Sequence, residues 1–228
     1  MNHLIKAIFA LLMFVSFTSC SLVIRKIIGL HDPVVETPET IAQFVKDCGC
    51  SYSHNYLLKS RSDSASILKS LFCCGEGKIL LFDNAGNRYC YVNDDSVSCA
   101  GNLYKMAFAT LDTNFAPCAD DSVKLSCYLE KLDPFMGTHE LSFTDSSYFL
   151  VYYWSKFLGG KRKYKDEVTW LTEMQLSSPY NITILAVNTD LQESWGLQAG
   201  KKLRMKLKVN YRGGSAEFGK IPYKTQIR

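Results

Sequence analysis

Residues 147–154, Ser-Tyr-Phe-Leu-Val-Tyr-Tyr-Trp, and residues 182–190, Ile-Thr-Ile-Leu-Ala-Val-Asn-Thr-Asp, are apolar-rich β runs. Between them Gly159-Gly160 breaks the chain, and Tyr164, Val168, Leu171 and Gln175 recur at helical spacing, with Trp170 and Met174 widening the stripe. A continuous apolar run of this length suits a strand buried on both faces. Strand, helix and parallel strand then make a βαβ unit, right-handed by default. Further out, residues 203–210 and 216–221 read as an antiparallel pair around Arg212-Gly213-Gly214-Ser215, with Ile221-Pro222 ending an edge strand.

Toward the N-terminus, Thr37-Pro38-Glu39 supplies a cap, a first-turn proline and an early acid, and Ile41, Phe44 and Val45 give the apolar face of a helix running to about Asp47. Asp63 caps a second helix that buries Ile67, Leu68, Leu71 and Phe72. Residues 78–83 and 88–93 flank Asn84-Ala85-Gly86-Asn87 as a hairpin, and residues 123–132 read as helix. The chain has 228 residues, 47% hydrophobic and 21% charged with a net +4, which excludes disorder and a coiled coil. Residues 48–137 carry 8 basic and 10 acidic side chains, and residues 138–228 carry 14 and 8. Of nine cysteines, eight lie between Cys48 and Cys127. The composition therefore changes near Asp133 to Gly137, where Pro134 and Gly137 punctuate the chain. The expected fold class is α+β, with a Cys-rich α+β module over residues 37–135 followed by an α/β domain over residues 138–228.

The cysteines are Cys48, Cys50, Cys73, Cys74, Cys90, Cys99, Cys118 and Cys127, and no Cys-x-x-Cys occurs among them. That spacing is what zinc ribbons and dithiol oxidoreductases use, so both are disfavoured and no metal or cofactor is expected. An even set in an exported chain points to four disulfides. With Asp94-Asp95 at the centre of a hairpin, Cys90 and Cys99 stand opposite one another. Cys118 and Cys127 are then partners by proximity, and Cys48 and Cys50 join Cys73 and Cys74. The alternative use of Cys48-Gly49-Cys50 or Cys73-Cys74 is thiol-disulfide redox chemistry.

Residues 1–19 have the plan of an export signal: a charged start to Lys6, an apolar run of eleven residues from Ala7 to Phe17, then small polar residues before Cys20. The run is too short to cross a bilayer, which needs roughly 20 apolar residues. Leu22, Val23 and Ile24 extend it past Cys20, so an uncleaved anchor helix stays open. Phe17-Thr18-Ser19-Cys20 resembles the lipobox of bacterial lipoproteins, with Phe17 in place of the usual Leu. That resemblance implies cleavage before Cys20, lipidation of Cys20 and a tether over residues 20–36. Ser21 is similar to the outer-membrane version of the signal, which implies a protein lipid-anchored in the bacterial cell envelope.

Tyr153-Trp154 and Val187-Asn188-Thr189-Asp190 resemble the thioredoxin-like family, whose strand ends in Trp and Cys-x-x-Cys before a long helix and whose next strand ends in Val-x-Val-Asp. The resemblance covers roughly residues 141–228 and implies a thioredoxin-like domain. Where the family carries its two cysteines this chain has Ser155 and Leu158, so no thiolate is present to attack a disulfide there. The family's cis-proline and closing helix are missing as well, Lys202 standing before Leu203.

Gly159-Gly160-Lys161 lacks the flanking residues of a phosphate loop, and Asp83 to Asn87 lacks the ligands of an EF-hand loop. His31, His54 and His139 stand in no nucleophile-activating spacing. Ser64, Ser96 and Ser122 follow aspartates, which suits helix caps and turns and also resembles the O-glycosylation acceptor of Bacteroidetes. In the tail, Lys202, Arg204, Lys206 and Lys208 alternate with Leu203, Met205, Leu207 and Val209, giving one basic and one buried face. The expected partners are the membrane, through Cys20, and an anionic envelope protein or lipid headgroups at the basic face; nucleic acid is not expected. Taken together, these features suggest a non-enzymatic binding or assembly subunit.

Overall fold

A computed structural model describes Arg25 and residues 29–59, 63–71, 79–91, 115–118, 124–138, 140–210 and 213–224. In chain order these form α1 (Pro38–Cys48), β1 (His54–Leu58), α2 (Ser64–Ser70), β2 (Ile79–Asp83), β3 (Arg88–Tyr91), β4 (Phe115–Pro117), α3 (Leu125–Leu129) and β5 (Leu132–Phe135). Then come β6 (Tyr148–Trp154), α4 (Gly160–Ser177), β7 (Ile182–Asn188), β8 (Met205–Asn210) and β9 (Gly213–Phe218). Strands β1 to β7 form one mixed sheet in the order β4-β3-β2-β6-β7-β1-β5, and β8 and β9 pair separately.

The centre of the sheet is the expected βαβ unit. β6 and β7 run parallel in register from Tyr148↔Ile182 to Trp154↔Asn188, joined through α4. β1 adds parallel to β7, and β2 adds antiparallel to β6. Side chains of β6 alternate between two fully covered faces, which is why its sequence is apolar throughout. Leu150, Tyr152 and Trp154 pack with Ile41, Phe44 and Val45 of α1 and Tyr164, Val168 and Leu171 of α4. Phe149, Val151 and Tyr153 pack on the other face with Ile67 of α2, Leu71 just after it, Leu125 and Tyr128 of α3, and Leu203 and Met205. Phe149, Leu150, Val151 and Tyr152 are wholly buried; each such side chain removed from water contributes on the order of 2 kcal/mol.

Local signals explain the ends of the elements. Thr37 caps α1 and shares a reciprocal box with Thr40, Pro38 occupies the first turn, and Gly49 closes the helix in the left-handed conformation. Asp63 Oδ1 accepts from the Ser66 N–H at 2.8 Å at the start of α2. Gly159 has φ 98°, and its N–H donates to the Gly29 carbonyl at 2.8 Å. A Cβ on Gly29 would lie 2.9 Å from the Gly159 Cα, so the missing side chain of Gly29 permits this close backbone crossing. Pro134 sits in β5, an edge strand, where a missing N–H need not break an interior ladder.

Three expectations change. The two regions of different composition do not build separate sheets: β1 to β5 come from one side of residue 136 and β6 and β7 from the other, and all seven share one sheet. Charge and cysteine content report on surface and compartment, whereas strand pairing is set by buried apolar runs. The helix expected over residues 123–132 spans only Leu125–Leu129, and Leu132 starts β5, where Leu58↔Leu132 pairing overrides helical propensity. In the outer hairpin Asn210 pairs with Gly213, Val209 with Gly214 and Lys208 with Ser215, so Gly213 to Ser215 belong to β9 rather than to the turn.

Candidate functional site

The C-terminal ends of β6 and β7 meet at Trp154-Ser155-Lys156 and Asn188-Thr189-Asp190. The Thr189 N–H donates to the Trp154 carbonyl at 2.9 Å. Asp190 is fully buried, and its two carboxylate oxygens accept from the Lys156 N–H at 3.1 and 2.9 Å. Asn188 Nδ2 donates to Asp190 Oδ2 at 2.8 Å, and the Asp190 N–H returns to Asn188 Oδ1 at 3.1 Å. This clasp fixes the turn between β6 and α4. Burial pushes the Asp190 carboxyl up to about 6, against the pull of those hydrogen bonds.

Lys156 reaches from the same turn to the segment ahead of α1. Its Nζ lies 2.6 Å from Glu36 Oε2 and 5.6 Å from the centre of the Phe44 ring. Glu36 is buried, and its Oε2 also accepts from Thr40 Oγ1 at 2.6 Å. Its backbone is tied to the stretch after β7, through Glu36 N–H to the Leu191 carbonyl at 2.7 Å and Glu193 N–H to the Glu36 carbonyl at 2.9 Å. Buried Glu36 and Asp190 and half-buried Lys156 thus form one polar cluster at the end of the parallel strands. Sequence reading found Asp190 as a strand end, but nothing local marks Glu36 as the partner of a lysine 120 positions away.

Ser155 and Leu158 border a cavity of about 10 Å³, shared with Trp154, Tyr164, Glu167 and Thr189. That volume holds one water molecule. Around it Trp154 Nε1, Ser155 Oγ and the Tyr164 hydroxyl are buried and hydrogen-bond to none of the described residues. Tyr152 donates to Glu167, and burial, with the Glu167 charge second, raises its phenol well above its ordinary value. Trp154, Tyr164 and Phe44 stack beside the cavity, with Trp154 and Tyr164 ring centres 4.5 Å apart.

Cys48 and Cys50 carry free thiols at the end of α1, Cys48 buried and Cys50 half-buried. Burial raises both thiols, and for Cys48 the neighbouring Cys50 adds to the effect. A helix C-terminus also disfavours a thiolate. Cys50 borders an open groove of about 620 Å³ with Val45, Lys46, Gly49, Ser51 and Met136.

The disulfide expectations are corrected. Cys90 is bonded to Cys118, with Cα atoms 5.0 Å apart, rather than to Cys99. The register Cys90↔Ala116 explains the choice, because Cys118 is the diagonal neighbour on the same face of the β3·β4 pair. Cys127 is consequently a free thiol, not the partner of Cys118. With Cys48, Cys50 and Cys127 free, four disulfides are not present. Cys20, Cys73, Cys74 and Cys99, the Asp94-Asp95 hairpin, and Ser96 and Ser122 lie outside the described residues. Ser64 is exposed at the start of α2, its Oγ 2.9 Å from the Tyr223 hydroxyl. Lys202, Arg204 and Lys206 are exposed while Leu203 and Met205 are buried, as the alternation predicts; Lys208 pairs with Ser215 in the ladder.

Comparison with known proteins found no matching family model, no matching curated protein and no matching solved structure.

Proposed function

We propose that this chain is a lipid-anchored protein of the bacterial outer membrane in which a thioredoxin-like domain without a dithiol acts as a non-enzymatic binding or assembly subunit. The thioredoxin-like reading is supported by the parallel pair β6·β7 and the long helix α4 that joins them; β8 and β9 pair apart from this sheet, and the antiparallel neighbour of β6 is β2, from ahead of the domain. The observation that carries the non-enzymatic part is the end of β6. There Ser155 and Leu158 replace the two thiols, and the space beside them admits one water molecule. The thiols nearest the alternative redox reading, Cys48 and Cys50, are held protonated by burial and so are poor nucleophiles.

The anchor rests on Phe17-Thr18-Ser19-Cys20 and the short apolar run before it. Acyl chains on Cys20 hold a folded domain on a membrane, since each buried methylene contributes roughly 0.8 kcal/mol. Metabolic labelling with a fatty-acid probe tests this. The wild type is expected to take up label and Cys20→Ala to take up none; label retained by Cys20→Ala would overturn the anchor.

A further inference from the structure

The segment ahead of α1 is fastened to the outer hairpin. Arg25 Nη1 donates to the Met205 carbonyl at 2.9 Å, and its Nη2 pairs with Asp32 Oδ1 at 2.7 Å. The same Asp32 oxygen accepts from the Met205 N–H at 3.1 Å. The Leu203 N–H donates to the Pro33 carbonyl at 2.8 Å, and Val34 bridges Lys202. Arg25 is therefore held at the start of β8, between Arg204 and Lys206 in the chain. Cys20 precedes Arg25 by five positions. At no more than about 3.5 Å per residue, Cys20 stays within about 18 Å of Arg25 however the intervening chain runs.

That end of the molecule is basic. Lys201, Lys202, Arg204, Lys206 and Lys220 are exposed, with Glu217 opposite Lys206 in the ladder. Lys224 is paired with Glu193 at 3.0 Å. From Lys201 to Arg228 nine basic residues face one acid. Leu203 and Met205 are buried in the core, so the hairpin's fold fixes these cations outward.

We propose that Lys202, Arg204 and Lys206, exposed at the start of β8 and just ahead of it, form a membrane-contact surface that rests on anionic phospholipid headgroups around the anchor. The proposal builds on the reading of Cys20 as the lipidated residue. Proximity selects lipid over an acidic protein: an anchor within about 18 Å of Arg25 keeps headgroups within reach of this face, whereas a protein partner is brought there by nothing in the chain. An acyl anchor with a basic patch is the two-signal arrangement that makes membrane attachment firm.

The test uses the chain from Ser21 onward, which holds every described residue and no acyl group, so binding reports the headgroup contact separately from the anchor. It is expected to sediment with phosphatidylcholine vesicles containing one-third phosphatidylglycerol, to ignore pure phosphatidylcholine, and to be released by salt. Lys202→Gln with Lys206→Gln is expected to weaken binding roughly 25-fold, at about five-fold for each lysine near an anionic surface. Lys163→Gln with Lys165→Gln removes the same charge from α4, which covers the opposite face of the sheet, and is expected to leave binding unchanged. No binding to the anionic vesicles, or equal losses in the two double variants, would overturn the contact surface while leaving the fatty-acid labelling of Cys20 to stand or fall alone.

Discussion

Asp190 is a carboxylate sealed between the turn after β6 and the end of β7, and it gives the fold a pH dependence whose sign can be worked out. Its folded value is about 6, raised first by burial, with Glu36 adding a smaller repulsion. In the unfolded chain an aspartate titrates near 3.9. Between about pH 4 and 6 the folded protein holds a proton that the unfolded chain has released, so this group's contribution to stability falls as pH rises through that window. Two units of difference correspond to about 3 kcal/mol. In urea unfolding, wild type is expected to lose about 3 kcal/mol relative to Asp190→Asn between about pH 4 and 7, because asparagine cannot ionise. Parallel pH profiles for the two proteins would show that Asp190 is not held protonated by burial. The aspartate could be picked out in the sequence because it ends a strand. Its neighbours Lys156 and Glu36 could not, since the lysine reaches it through a backbone N–H and the glutamate comes from a segment paired only in three dimensions.

At the scale of elements, the parts that read well are those where a single physical demand fixes the residue pattern. β6 and β7 must be apolar on both faces, α1 needs its cap and its glycine stop, and the β2·β3 turn needs Asn84 to Asn87, where Asp83 Oδ1 accepts from the Asn87 N–H at 2.7 Å. The disulfide did not read correctly, because the expectation set Cys90 opposite Cys99 across a hairpin at Asp94-Asp95, whereas the strand that pairs with β3 lies beyond Cys99 and brings Cys118 to Cys90. The register of β3 and β4 makes its own prediction. Peptides from unreduced protein are expected to join Cys90 to Cys118, and a linked Cys90–Cys99 peptide would contradict the pairing. Closing a loop with a sequence separation of 28 restrains the unfolded chain by about 3 to 4 kcal/mol in the chain-entropy treatment, so Cys90→Ser with Cys118→Ser should lower stability by up to that amount.

For the whole molecule, the sheet joins what composition divides. β3, which carries Cys90, and β4, which Cys118 follows, add to the edge of the sheet whose centre is β6 and β7, and β1 closes against β7 from the far N-terminal side. Charge and cysteine counts could not reveal this, because the join is made by Leu80, Phe82, Leu150 and Val151 in the core, residues that neither count registers. The resulting body carries its basic hairpin beside Arg25 and has Ser155 and Leu158 where the proposed thioredoxin-like reading would place two thiols. Insulin reduction measured with the chain from Ser21 onward tests this most directly. The wild type is expected to show a rate equal to the uncatalysed background, and Ser155→Cys with Leu158→Cys, which restores the two-thiol spacing at the end of β6, a rate above it. Wild-type turnover above background that disappears on alkylating its thiols would contradict the non-enzymatic reading.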